Sequence, residues 1–387
     1  VIGQNLYRLH DKRFDQIGMS WLKHSFCAVD EFDEMFCGVC QPNFDCDWLA
    51  IGCADTYGTF LNGNQPGMGP RSEVNAANGA YTFPYVLQAG ASGDAIFKRL
   101  QVQVDDLNPD LNPGAQYFME AYYLTTDEQA WANQYNNASY RECFVGGLSG
   151  GGYNLSYNVG IEIEQVSTGL DAWQDIDTGV QIATISIAGD GDLHVGSRAT
   201  DNQDGTWHYE YAVYNYNSDR SVQCFSVPTG CTTVTNAGFN DVDSHSGEPY
   251  SIADWTQIDL GGRYEWQSET FDVNADANAI RWNTMYSFRF DSPNPPVDGL
   301  AKIMLFKPGA DPEQSVSVVH PMREPCSADI VEANGIVNVN DLLFLLAEWG
   351  ESGLSAADID GTSEQCPDDV VDVTDLLTLL AQWGSCP

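Results

Sequence analysis

A mainly β protein is predicted: one or two antiparallel β-sandwich-like domains, followed by a small all-α domain of paired loop-helix units. Three observations predict it. Apolar and polar residues alternate at period two in short runs through the first 310 residues. Asn-Pro, Asn-Gly and Pro-Gly pairs punctuate those runs. After Cys326 the periodicity becomes helical.

Residues 1–160 read as a Cys-rich β domain. Phe97 to Val104 and Gln116 to Leu124 alternate as strands, and Asp127 to Gln134 reads as one helix. Residues 161–310 read as a β-sandwich domain. Val180 to Ile187 and Trp207 to Tyr214 are its clearest strands, with turn material at Gly189-Asp190-Gly191-Asp192 and Asp204-Gly205. Tyr286 to Phe290 and Leu300 to Phe306 complete the set. Pro308, Pro312, Pro321 and Pro325 then mark residues 311–325 as a linker, and residues 326–387 form the last domain.

The bulk properties narrow the function classes. Sixteen Lys+Arg against 55 Asp+Glu give a formal charge of −39. Such a chain repels phosphate backbones and anionic membrane surfaces, so neither nucleic acid nor membrane insertion is expected. Hard divalent cations, bound by carboxylate and carbonyl oxygens, are expected instead. Mean hydropathy is −0.28. Eleven cysteines, clustered at Cys27 to Cys53, Cys224 with Cys231, and Cys326 to Cys386, point to disulfides in an oxidising compartment, with Cys143 standing apart. Val1 to Asn5 has neither a basic start nor a long apolar run. The chain therefore reads as a mature, exported form.

The tail carries one duplicated unit. Ile336-Val337-Asn338-Val339-Asn340-Asp341-Leu342-Leu343-Phe344-Leu345-Leu346-Ala347-Glu348-Trp349-Gly350 recurs as Val370-Val371-Asp372-Val373-Thr374-Asp375-Leu376-Leu377-Thr378-Leu379-Leu380-Ala381-Gln382-Trp383-Gly384. Each copy ends as an amphipathic helix with an acid at its start and a glycine at its stop. Ahead of each helix lies a loop rich in oxygen ligands. Counting back from Asp341 places Asn338, the Ile336 carbonyl, Asn334 and Glu332 at alternating ligand positions, with Asp329 one residue outside the spacing. In the second loop Asp375, Asp372, the Val370 carbonyl and Asp368 follow the pattern, and Asp358 and Asp360 supply the first ligands across a longer insertion.

On these motifs residues 326–387 resemble the dockerin family, in the Cys-flanked form found at the C-termini of secreted planctomycete proteins. The resemblance implies two calcium-binding loop-helix units packed together. It also implies a helix face that docks on a cohesin-like domain, here Leu342, Leu346, Trp349, Leu376, Leu380 and Trp383. Segments of the body, such as Arg281-Trp282-Asn283-Thr284 and Leu305-Phe306-Lys307-Pro308-Gly309, resemble secreted planctomycete proteins, which implies kinship without an activity.

No catalytic residue is expected. Cys37, Cys40, Cys46 and Cys53 lack the paired spacing or His partners of a zinc site and read as a stapled loop. Gly147 to Gly151 and Ser244 to Glu248 read as turns, and no His-Glu-x-x-His occurs. Aromatic residues at this density suit a sandwich core. They could also line a glycan site, and two facing carboxylates would make a glycosidase. The expected function is a non-enzymatic extracellular structural protein that docks through its tail onto a cohesin-like domain or other copies of itself. The alternative is a dockerin-anchored carbohydrate-binding protein or glycoside hydrolase.

Overall fold

A computed structural model describes residues 1–24, 41, 63–126, 128, 134–149, 152–158, 160–323, 327–331, 336–352, 355–359 and 370–385. It is mainly β, with 42% strand and 13% helix, and its sheets are antiparallel. Three sheets stack in layers. The first has the order Gly152–Ser156, Ala138–Ser149, Gln116–Tyr123, Ile2–His10, Arg13–Met19, Gln101–Val102. The second runs Gln181–Ser186, Asp192–Asp201, Trp207–Asn215, Thr284–Ser292, Thr235–Asn240. The third runs Thr256–Asp259, Arg263–Gln267, Val222–Pro228, Pro296–Leu305, Glu313–Pro321.

Alternation along one strand shows how the stack is built. Tyr209, Tyr211 and Val213 point from the second sheet into the core it shares with the third. There the rings of Phe225 and Phe288 lie 5.0 Å apart, and those of Trp266 and Phe288 5.2 Å apart. Ala212 and Tyr214, one residue out of phase, point the other way and pack in a cluster with Tyr7, Phe14 and Phe118 of the first sheet and with Trp173. The second sheet is thus covered on both faces. The helix Gly169–Ile176 fills the space beside it, burying Leu170, Ala172 and Trp173. A side chain at Gly169 would stand 2.2 Å from the Tyr7 ring, which is why glycine opens this helix.

Several sequence expectations change here. Residues 311–325 are not simply a linker: Glu313–Pro321 pairs along its length with Pro296–Leu305, burying Val316 and Val318. The strand expected at Phe97 to Val104 shortens to Gln101–Val102: Lys98 takes a positive φ of 63°, and Val104 opens the helical turn Val104–Leu107. The Lys98 ammonium lies 5.1 Å from the Trp21 ring and 4.9 Å from that of Tyr85. Most of the expected helix from Asp127 to Gln134 falls outside the described residues. Cys224 and Cys231 do not pair with each other: Cys231 is disulfide-bonded, while Cys224 and Cys143 are free thiols.

The tail is not all-α. It holds the helices Val339–Ala347 and Val373–Ala381 and a two-stranded ladder pairing Ile336 with Ser385 and Val337 with Gly384. Ala328, Val337, Leu345, Ala357, Ile359, Val371 and Leu379 form its core.

Candidate docking module

The two copies in the tail are built alike. Asn338 caps the first helix, its Oδ1 accepting from Asn340 N at 2.9 Å. Asp372 caps the second, accepting from Thr374 N at 2.7 Å. Asp341 and Asp375, three residues on, close capping boxes by accepting from Asn338 N (2.8 Å) and Asp372 N (2.7 Å). Their other oxygens reach back to the loops. Asp341 Oδ1 accepts from Ile330 N (2.9 Å) and Val331 N (3.1 Å), and Asp375 Oδ1 accepts from Ile359 N (2.5 Å). Both acids are fully buried and tie each loop to its helix.

These positions decide how far calcium fits. The oxygens of Asp341 and Asp375 serve backbone N–H groups, Asn338 and Asp372 are engaged as caps, and the Ile336 carbonyl accepts from Asn338 Nδ2 at 3.0 Å. Among the described residues no three His, Cys, Asp or Glu gather around one point. Asp329, Asp358 and Val370 are described, whereas Glu332, Asn334, Asp360 and Asp368 lie outside the described residues. The described donors therefore do not make a calcium cage by themselves.

The exposed apolar face differs by one residue on each helix from the docking face expected from the sequence. Of the residues expected there, Leu346, Trp349, Leu380 and Trp383 are exposed. Leu342 and Leu376 are instead half-buried against the module's core. Their places on the surface are taken by Leu343 and Leu377, each 59% exposed, and by Val339 and Val373. Each helix thus shows an apolar stripe at spacing i, i+4, i+7, continued by a tryptophan.

The body's polar side chains are mostly spent on structure. Glu120, fully buried, accepts from Asn5 Nδ2 (2.9 Å), Tyr7 Oη (3.3 Å), Tyr214 Oη (3.1 Å), Asn283 Nδ2 (2.7 Å) and Gly169 N (2.6 Å). Burial raises its pKa against the pull of those donors. Arg71 joins the same junction, donating to Asn5 Oδ1 and Asn283 Oδ1, both at 2.9 Å. The segment from Ser244 to Glu248 is equally structural. His245 Nε2 lies 2.7 Å from the Arg99 carbonyl and Nδ1 2.9 Å from that of Ser246, and Glu248 accepts from Arg71 N at 2.6 Å. Gly147 to Gly151 has the letter spacing of a nucleophile elbow; Gly150 and Gly151 lie outside the described residues, but Ser149 ends a strand and pairs with Gly152, which begins the next strand, where an elbow would need a helix. Asp190 holds a turn, accepting from Asp219 N at 3.1 Å. The zinc-like cysteines lie outside the described residues.

One open groove of about 590 Å³ crosses the first sheet. Tyr123, Tyr140, Tyr157, Arg141, Ile163 and Val166 are among its lining residues. Among the described residues its lining holds one acid, Glu120, whose carboxylate is turned into the buried junction.

A second buried cluster had been invisible in the sequence. His208 and Glu210 share the face of their strand that meets the first sheet. His208 Nδ1 lies 2.6 Å from Asp291 and Nε2 2.9 Å from Glu210. Charged residues at i and i+2 in a sandwich strand ordinarily mark the solvent side, and it is the first sheet, laid over that face, that covers these two.

No family model and no curated protein matches the chain. Among solved structures it is similar to the serine-rich repeat adhesion glycoprotein Srr1 of Streptococcus agalactiae, at 12% identity, over 53% of this chain and 70% of that one, with a TM-score of 0.23. Among the described residues no helix is long and apolar enough to cross a membrane.

Proposed function

We propose that this is an extracellular, non-enzymatic structural protein that docks through its C-terminal helix pair. The observation that carries the reading is the repeated stripe: Leu343, Leu346 and Trp349 on one helix, Leu377, Leu380 and Trp383 on the other, all exposed. Two matching apolar faces on so small a module are the mark of an interaction surface. Residues 326–387 contain no Lys or Arg, so the module is purely acidic. Calcium bound in the two loops would neutralise part of that charge and stiffen the surface that docks. The partner is a cohesin-like domain or the β-body of a second copy. Contact of tail with body is heterologous and extends into open chains.

Electron microscopy of the purified protein with calcium tests this. Filaments or sheets are expected, and discrete monomers at every concentration would refute self-assembly. The groove on the first sheet favours one further reading, glycan binding by the body, because tyrosines and an arginine line it. A glycan array would report it. Hydrolysis has less support, since among the described residues the groove's lining offers one acid where glycosidases use two.

A further inference from the structure

The second layer covers one face of the first sheet and leaves the other to be accounted for. Along Gln116–Tyr123, Phe118 and Tyr122 point into the shared core, while Met119, Ala121 and Tyr123 point outward. Part of that outer face is packed, with Leu6, Ile17, Tyr117 and Cys143 forming a small core and Met119 and Tyr157 at its edge. The rest forms the open groove. Gln4 stands opposite Ala121, which stands opposite Ser139. Ala121 and Ser139 are small, so their row sinks between Tyr123 on one side and the Met119–Arg141 pair on the other.

The lining is apolar and carries one outward charge. Ile163 and Val166 flank the short strand Glu164–Gln165 at the rim, 53% and 64% exposed. Val166 takes a positive φ of 59°, a strained conformation for a β-branched residue. Glu162 and Glu164 alternate out of phase with Ile163 and Gln165 and stay out of the lining. Arg141 lies with its guanidinium 4.7 Å from the Tyr157 ring. Its Nη2 donates to the Asn158 carbonyl at 3.5 Å, whereas its Nε is buried without a hydrogen-bond partner. Glu120, the acid of the lining, is spent on the junction below.

A cationic, apolar groove on a chain of formal charge −39 suits an acidic, apolar guest. The tail has that chemistry, since residues 326–387 contain no Lys or Arg and their exposed stripe is leucine and tryptophan. Its two helix ends differ. Glu348 and Glu351 flank Trp349, whereas Gln382 and Ser385 flank Trp383. The helix Val339–Ala347 also has no basic residue in its last turn to offset its negative pole. In its own chain the tail rests elsewhere, with Arg323 Nη2 donating to the Ile359 carbonyl at 3.1 Å beside the turn at Gly230 to Thr232.

We propose that the groove of one copy receives the Trp349 end of the first tail helix of a second copy, with Arg141 facing Glu348 and Glu351. This rests on the docking reading above and names the surface of the body that the tail uses. Groove and stripe are different patches, so the contact is heterologous and propagates from copy to copy.

The test follows assembly of the full chain in calcium by light scattering, beside the tail variant Leu343→Asp combined with Leu377→Asp. Arg141→Glu and Ile163→Asp should each raise the concentration needed for assembly roughly 30-fold or more, with unchanged urea midpoints. Adding Glu348→Lys and Glu351→Lys to Arg141→Glu should restore assembly, which misfolding cannot mimic. If Arg141→Glu fails to fold, Ile163→Asp still decides. Groove variants that assemble like the wild type, while the tail variant does not, would overturn the groove and leave docking standing. A wild type that never assembles would overturn both. Reversed charges that fail to restore assembly would overturn the pairing, and groove variants that lose only glycan binding would give the groove to a saccharide instead.

Discussion

Leucines two residues apart on the same tail helix should behave oppositely when truncated. Leu345 and Leu379 are fully buried in the module's core. Changing either to alanine removes buried methyl groups and leaves a cavity, costing about 2–5 kcal/mol. Leu343 and Leu377, at 59% exposed, bury only about two-fifths of their surface. The same change there costs about 1 kcal/mol or less. Amide hydrogen exchange, followed by mass spectrometry on peptides spanning residues 339–347 and 373–381, reads local opening directly. Leu345→Ala and Leu379→Ala should speed exchange by roughly 30-fold or more, and Leu343→Ala and Leu377→Ala by roughly fivefold at most. In assembly assays the order should invert, because the exposed pair belongs to the proposed docking stripe. Equal acceleration by both pairs would mean that the stripe is packed and unavailable, and the reasoning would fail.

Other outcomes follow from the same geometry. Glu120→Ala would leave five donors at the layer junction without their acceptor, and the urea midpoint should fall by the equivalent of about 3–5 kcal/mol. Burial, helped by Glu142, pushes the Cys143 thiol up to about 12, and burial likewise raises Cys224. At pH 8 iodoacetamide should therefore label both slowly in the native protein and quickly in urea, as peptide mapping would show. Calcium should raise the melting temperature of the full chain relative to chelator; equal melting in both media would count against bound calcium.

Legibility in the sequence followed how each segment is covered. Gln181–Ser186 and Trp207–Asn215 were readable because alternation survives packing between layers. Glu313–Pro321 was hidden by the prolines that bracket it, although Val316 and Val318 already alternated within it. Lys98 looked like a strand residue because nothing local announces an ammonium among aromatic rings. The tail's helices and caps were plain from the repeat, but their rotation was not. A run such as Leu342-Leu343-Phe344-Leu345-Leu346 is apolar almost all round, so only the packed structure distinguishes the inward Leu342 from the outward Leu343. The cluster of His208 with Glu210 and Asp291 was beyond reach, since two layers must first be stacked to cover it.

Size-exclusion chromatography with light scattering, in calcium and then in chelator, tests docking most directly when the wild type is run beside Leu343→Asp combined with Leu377→Asp. The account predicts large assemblies of the wild type in calcium, their loss in chelator, and a monomeric variant in both. A wild type that stays monomeric in calcium, or a variant that assembles as well as the wild type, would contradict it.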